Sequence, residues 1–232
     1  MGLIRAIIFD LDNTLWDVHP VIVRAEHAMR EFLAARYPLV TASHDLESMR
    51  ALRVQIAREN PAMRHDFTWL RLEALRRHAR EAGYADTLAQ EAFDVFFRVR
   101  NEVVLYDDVR PTLDQLVRRY RLFAISNGNA NLAAIGLDQY FEAKLAARDA
   151  GMLKPDPRIF DMLLQRAGLS PGEVAHVGDD PGADVEGARG AGLLPVWLNR
   201  DAAQWQLESS PPEIVIAGLD ELPAVLEAAN QS

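Results

Sequence analysis

The 232-residue chain contains no cysteine, which excludes disulfides, thiolate metal sites and cysteine nucleophiles. No apolar run approaches the ~18 residues needed to cross a bilayer. Met1-Gly2-Leu3-Ile4-Arg5 carries one basic residue and runs straight into a strand-like stretch, without an apolar segment before a small-residue cleavage site. Gly2 would suit myristoylation only with Ser or Thr at position 6, where Ala6 stands. These absences predict a cytoplasmic protein without membrane association. Basic charge is also in deficit. With 25 Lys and Arg against 34 Asp and Glu, the net charge is −9, which argues against nucleic-acid binding because that needs clustered cations on a phosphate backbone. The local arginines Arg71, Arg76, Arg77 and Arg80 fall at helical spacing and read as a solvated face. Repeats and low-complexity segments are absent as well, and a monomer is expected.

What is present is apolar: 49% of the residues are hydrophobic, enough to bury a sizeable core. Leu3 to Phe9 is a short Ile-rich run ending at Asp10, the pattern of a strand covered on both faces. Similar runs occur at Leu122–Ser126, Val174–Val177, Leu194–Leu198 and Glu213–Ile216. Helical patterns lie between most of them. In one, Asp156 is placed to cap, Pro157 to occupy the first helical position and Gly168 to end the helix, with Phe160, Leu163, Leu164 and Ala167 facing the core. Alternating strands and helices predict an α/β fold, a Rossmann-like doubly wound parallel sheet. From Asp17 to Val104 the rhythm changes. Ile22/Ala25/Met29/Phe32, Leu46/Met49/Leu52/Ile56, Leu70/Ala74/Leu75/Ala79 and Ala92/Val95/Phe96/Val99 recur at helical spacing with no strand among them. The expected organisation is a core of residues 1–16 and 105–232 with an all-helical cap, 17–104, inserted after the first strand.

Four segments carry polar residues just past strand ends, the edge where open parallel sheets bind ligands. In Phe9-Asp10-Leu11-Asp12-Asn13-Thr14, alternation sends Asp10 and Asp12 to one side, and two carboxylates so close call for a cation. A plain turn after a strand accounts for Asp12 and Asn13 too. Ser126-Asn127-Gly128-Asn129 has a hydroxyl, an amide and a flexible glycine able to hold a phosphate, and it is equally an ordinary turn signal. Lys154, between a loop and two prolines, is placed to neutralise a carboxylate or phosphoryl oxygen, although most single lysines are simply solvated. Gly178-Asp179-Asp180-Pro181-Gly182-Ala183-Asp184 puts three carboxylates within six residues, an oxygen donor set suited to magnesium. Helix capping explains Asp180 but not all three.

In that order the segments resemble the four motifs of the haloacid dehalogenase-like (HAD) superfamily: FDLDNTLWD the first, Ser126 the second, Lys154 the third and GDDPGAD the fourth. The helical insertion resembles the cap of subfamily I members. WDVHPVIVRAEHA, HDFTW, ISNGNA and HVGDD are similar to bacterial flavin mononucleotide phosphatases, which also act on the phosphorylated ribitylaminouracil intermediate of riboflavin synthesis. The resemblance implies a magnesium-dependent phosphomonoester hydrolase working on a small phosphate ester through an aspartyl-phosphate. Asp10 would be the nucleophile and Asp12 the general acid and base. Mg2+ would lie between Asp10, the backbone carbonyl of Asp12 and Asp179, with Asp184 supporting those ligands. Ser126 and the backbone near Asn127 and Gly128 would hold phosphoryl oxygens, and Lys154 would offset their charge. Thr14, Trp16 and His19 are substrate-binding candidates, Trp16 by stacking on a flat ring. His65, Phe67 and Trp69 form a further patch that reads equally as packing. Dehalogenases of this fold lack an acid at the position of Asp12. Phosphomutases share it, so a phosphomutase acting on a sugar phosphate stays open, as does a non-hydrolytic phosphoacceptor switch. The fourth motif often has Ser where this chain has Asp180, which leaves direct or water-mediated metal contact there undecided.

Overall fold

The structure, a computed structural model, describes residues 2–231. In chain order the elements are β1 (Ala6–Phe9), then α1 (Val18–Arg36), α2 (Pro38–Ser43), α3 (Leu46–Glu59), α4 (Phe67–Glu81), α5 (Thr87–Arg100) and α6 (Val109–Leu116). There follow β2 (Arg121–Ser126), α7 (Leu132–Ile135), β3 (Ala143–Ala146), α8 (Ala147–Ala150), α9 (Pro157–Ala167), β4 (Val174–Gly178), α10 (Gly187–Gly190), β5 (Leu194–Leu198), β6 (Ile214–Ile216) and α11 (Leu222–Ala229). The strands form one sheet in the order β3-β2-β1-β4-β5-β6, and every pairing is parallel. This is the doubly wound α/β arrangement. The strand order reverses direction between β1 and β4, so the crevice of such a sheet opens past the ends of those two strands.

The first strand is continuous in apolar character because it is covered on every side. All four residues of β1 are fully buried, with β2 on one edge and β4 on the other. Its ladder starts at Ala6 rather than Leu3, which is exposed. Ala6, Ile8, Phe123, Ile125 and Leu145 share a cluster with Ile159, Phe160, Leu163 and Leu164 of α9. That helix has the expected ends: the Asp156 carboxylate accepts from the Arg158 N–H, Pro157 begins the helix and Gly168 closes it at φ 64°. Ile159 rather than Ala167 completes the buried face. The strand β3, not anticipated, pairs with β2 at the sheet edge.

The chain divides into two compact units. One comprises residues 1–17, 104–128 and 136–232 and contains the sheet; the other comprises Val18–Val103 with Asn129–Ile135, a segment inside the range expected for the core. The second unit is all helical and packs around Ala25, Met29, Leu33, Leu75, Ala92 and Phe96. Trp69 packs beside Ile56, Leu70 and Ala74, whereas Phe67 is exposed. Among the described residues no helix is long and apolar enough to cross a membrane.

The arginine cluster of α4 needs correction, because Arg71 is buried rather than solvated. Its guanidinium lies 3.6 Å above the Phe96 ring and 3.4 Å from Glu26, itself only 1% exposed. Arg50 and Arg53 bind the same carboxylate at 2.6 and 2.7 Å. Burial alone would raise the Glu26 pKa, but the hydrogen bond from Arg50 and the charges of Arg53 and Arg71 hold it below its ordinary value. Removing one member of a buried ion network strands the others, at a cost of about 3–5 kcal/mol. Glu26→Gln is therefore expected to destabilise the helical unit by about that much in chemical denaturation. A loss below about 1 kcal/mol would mean that the arginines find water instead.

Candidate active site

Asp10 follows β1 and Asp179 follows β4, so the two carboxylates stand at the point where the sheet order reverses. Oxygens of Asp10, Asp179 and Asp184 lie within 4.8 Å of one another. Lys154 enters from the loop before α9 and is 3% exposed. Its ammonium donates to Asp10 Oδ1 at 2.6 Å, to Asp184 Oδ1 at 2.6 Å and to the Ile125 carbonyl at 3.1 Å. Those three bonds use all of its protons. The Thr14 hydroxyl, fully buried, lies 3.2 Å from Asp10 Oδ2 and 3.3 Å from Asp179 Oδ1 and so bridges the two strand ends.

Local backbone geometry makes this convergence possible. Asn13 turns the chain at φ 63°, a left-handed conformation that asparagine tolerates better than most residues. On the other side a Cβ added to Gly178 would lie 2.2 Å from Asp184 Cγ, so only glycine lets that carboxylate approach β4. The Asp180 carboxylate caps the following turn by accepting from the Gly182 and Ala183 N–H groups at 2.8 and 2.7 Å, which is the capping role, and it is not part of the carboxylate cluster.

The other expected residues have distinct placements. Asp12 is half-buried, and its Oδ1 accepts from the Trp16 indole N–H at 2.9 Å. Trp16 is fully buried, so its ring packs inside the fold and offers no face for stacking. His19 is an exposed residue of α1 in the helical unit. Ser126 is buried at the end of β2, and its Oγ accepts from the Gly128 N–H at 3.0 Å. The Asn127 side chain is spent on Lys154: its Oδ1 accepts from the Lys154 N–H at 2.8 Å and its Nδ2 donates to the Lys154 carbonyl at 3.1 Å. This amide clamp fixes the lysine loop. Asn129 belongs to the helical unit and bonds Arg100 and Thr68.

His176 on β4 is a site residue that the motif reading gave no role. It is 1% exposed and its Nε2 lies 2.9 Å from Asp184 Oδ1. A carboxylate only accepts, so Nε2 carries the proton. The available signal was a polar residue inside a wholly buried strand, which requires a partner.

The electrostatics are unbalanced in a telling way. One ammonium faces three carboxylates. Burial would raise the Asp184 pKa, but Lys154 and His176 hold it well below the usual carboxylate range. Asp10 goes the other way: burial pushes it well above its ordinary value against the pull of Lys154, and the charges of Asp184 and Asp179 add to the rise. Burial, followed by the charge of Asp184, pushes Asp179 up to about 7. Oxygen donors with surplus negative charge fit a hard divalent cation. Because such a cation binds the ionised carboxylate, it must displace the Asp179 proton below pH 7. Asp10, raised as well, has its own proton to lose, so affinity for Mg2+ is expected to fall at least tenfold for each pH unit below about 7. Calorimetric titration from about pH 5.5 to about pH 8 checks this; a flat profile would show Asp179 ionised throughout.

Beside Asp179 a cavity of about 680 Å³ is lined by Asn13, Tyr106, Trp197, Arg200 and Gln204, among others. Arg200 is held by Asp108 through two bonds of 2.8 and 2.9 Å and lies 4.1 Å over the Tyr106 ring. The Trp197 indole N–H donates to the Asp179 carbonyl at 2.9 Å.

Comparison with known proteins agrees with this geometry. The chain is 31% identical over 233 residues to the 5-amino-6-(5-phospho-D-ribitylamino)uracil phosphatase YigB of Escherichia coli (strain K12), covering 97% of this chain and 98% of that protein. It is 30% identical to the N-acylneuraminate-9-phosphatase of Mus musculus, covering 99% and 97%. A crystal structure described as a 2-haloacid dehalogenase from Pseudomonas syringae pv. Tomato DC3000 superposes with a TM-score of 0.93 at 37% identity, covering 97% of this chain and 99% of that one. The profile of the haloacid dehalogenase-like hydrolases matches residues 4–192. With the sheet order, the strand-end carboxylates and the buried lysine all in place, the chain belongs to the haloacid dehalogenase-like hydrolase family.

Proposed function

We propose that the protein is a magnesium-dependent phosphatase that hydrolyses a small phosphate monoester through a phosphoryl group carried on Asp10. The observation that carries this reading is the placement of Asp10 at the strand-order reversal, held by Lys154 beside Asp179 and Asp184, with Asp12 two residues further on. Mg2+ held by Asp10, Asp179 and Asp184 would supply positive charge to the ionised carboxylates and the phosphoryl oxygens.

The residues divide the work as follows. An Asp10 oxygen attacks phosphorus, forming the acyl phosphate as the bond to the leaving alkoxide breaks. Asp12, oriented by the Trp16 indole, gives a proton to that alkoxide. It then takes one from the water that cleaves the Asp10–phosphorus bond and releases inorganic phosphate. Lys154 steadies Asp10 and the transferring group, Thr14 ties the two strand ends together, and Asn127 positions Lys154. The backbone at Ser126 to Gly128 is the candidate cradle for phosphoryl oxygens.

For the substrate we favour flavin mononucleotide or a riboflavin-pathway phosphate. Support comes from the full-length likeness to the E. coli phosphatase and from a cavity within the ~300–1,000 Å³ range of small-molecule sites. The likeness to the Pseudomonas dehalogenase favours a second reading, halide displacement from a 2-haloacid. Asp12 weighs against it, because a halide leaves without a proton while an alkoxide needs one.

The test is to measure phosphate release from a panel of monoesters, with and without Mg2+, alongside halide release from 2-chloropropionate. Metal-dependent phosphate release, strongest on flavin mononucleotide or the ribitylaminouracil phosphate, is the expected result. Halide release without phosphate release would overturn the reading.

A further inference from the structure

The helical unit contains a second cluster of metal-ligating side chains, well separated in sequence from the carboxylate site. His44 follows the C-terminus of α2, and His78 and Glu81 stand three residues apart on α4 and so share a face. One ligand atom from each lies within 4.8 Å of the other two. We propose that His44, His78 and Glu81 form a binding site for a divalent ion of the zinc class.

The state of His78 carries the argument. The side chain is 2% exposed, yet neither ring nitrogen has a hydrogen-bond partner among the described residues. Burying an imidazole without partners costs free energy, and a buried polar group of this kind normally finds protein or water. Here it faces a second imidazole, with ring centroids 4.1 Å apart. The two rings are tilted by 47° and exchange no hydrogen bond, but a cation that accepts a lone pair from each satisfies one nitrogen of both. Burial and then the nearness of His44 push the His78 pKa down to about 4, so its ring is uncharged at neutral pH, the form that ligates.

The spacing also fits. Bonds of about 2.0–2.2 Å in a tetrahedron put donor atoms roughly 3.3–3.6 Å apart. His44 Nε2 and Glu81 Oε2 are already 3.3 Å apart, and the Glu81 side chain, 64% exposed, is free to adjust. Two imidazoles and one carboxylate select a borderline ion such as Zn2+ or Co2+ over Mg2+, which prefers an all-oxygen shell. Such an ion would pin the junction of α2 and α3 to the end of α4.

The experiment titrates the full-length protein with Co2+ while saturating Mg2+ occupies the carboxylate cluster, following the visible absorption of the cobalt ion. His44→Gln and Glu81→Gln run in parallel, with far-UV circular dichroism to confirm folding. The expected result is one equivalent of Co2+ in a low-coordinate, nitrogen-containing environment, displaced by Zn2+. Each substitution is expected to weaken binding by about tenfold or more. Zn2+ alone is also expected to raise the melting temperature of the Mg2+-saturated wild type, a readout independent of the variants. Equal affinity and spectrum in wild type and both variants, or no bound Co2+ at all, would overturn the proposal and leave an ordinary His44–Glu81 ion pair beside a packed imidazole.

Discussion

Replacing Asp10 by asparagine is expected to reduce turnover by about 10⁴-fold or more, the scale seen when an enzyme loses its nucleophile. The amide keeps the shape of the carboxylate, so Lys154 still has an oxygen to bind while the Thr14 hydroxyl turns to accept from the amide NH2. What disappears is the atom that attacks phosphorus, together with one ligand of the cluster. Stability should move differently. Asp10 is held above its ordinary pKa first by burial, so its ionised form is disfavoured in the metal-free fold. A neutral side chain relieves that repulsion, and the metal-free melting temperature is expected to be unchanged or higher. Lost activity in an intact fold, measured by phosphate release and thermal melts on one preparation, is the signature. Wild-type turnover in Asp10→Asn would assign the nucleophile elsewhere.

Lys154→Met should impair both properties at once. Methionine matches the length of the lysine stem but removes the ammonium shared by Asp10, Asp184 and the Ile125 carbonyl, leaving Asp10 with the Thr14 hydroxyl and Asp184 with His176 and the Asp180 N–H. A lost preorganised charge at the reacting group typically costs about 10²–10³-fold in turnover. Stranding buried carboxylates costs about 3–5 kcal/mol in stability at neutral pH. Arginine is not expected to rescue, since its planar fork cannot occupy a pocket shaped for a compact ammonium with three convergent acceptors. Added Mg2+ should restore part of the stability, because it supplies the missing positive charge, but little of the rate. A variant with normal stability would show that the carboxylates had never relied on Lys154.

Much of this site was legible because its residues are punctuation in otherwise apolar text. Asp10 ends a run of Ile7, Ile8 and Phe9, and Asp179 directly follows β4. A carboxylate directly after a doubly covered strand can lie only at the sheet edge, so position followed from pattern. One signal went unused: of 25 basic residues only Lys144 and Lys154 are lysine. His176 was hidden because it sits within a strand rather than at its end, and its purpose shows only when Asp184 folds back from eight residues on. β3 was hidden for another reason. Ala143-Lys144-Leu145-Ala146 has no β-branched residue, and helix α8 begins immediately after it. Its extended form is imposed by pairing with β2, a tertiary effect that local propensity does not report. Arg71 and Trp16 show the same limit for side chains. Spacing placed Arg71 on a face and the resemblance made Trp16 a stacking candidate, but only packing decided that neither met water.

The position of β1 in the sheet also has a consequence during synthesis. The strand leaves the ribosome before both of its sheet neighbours, which lie at Arg121–Ser126 and Val174–Gly178. At translation speeds of about 5–20 residues per second, β1 waits roughly 6–23 s for the first of them. Throughout that interval four apolar residues have no partner strand. Within the same interval the whole stretch Val18–Val103 emerges, and its helices pack on one another, α1 against α5 included, without any strand. Inserting the helical unit there lets the nascent chain condense something early, while its wholly apolar first strand is still single.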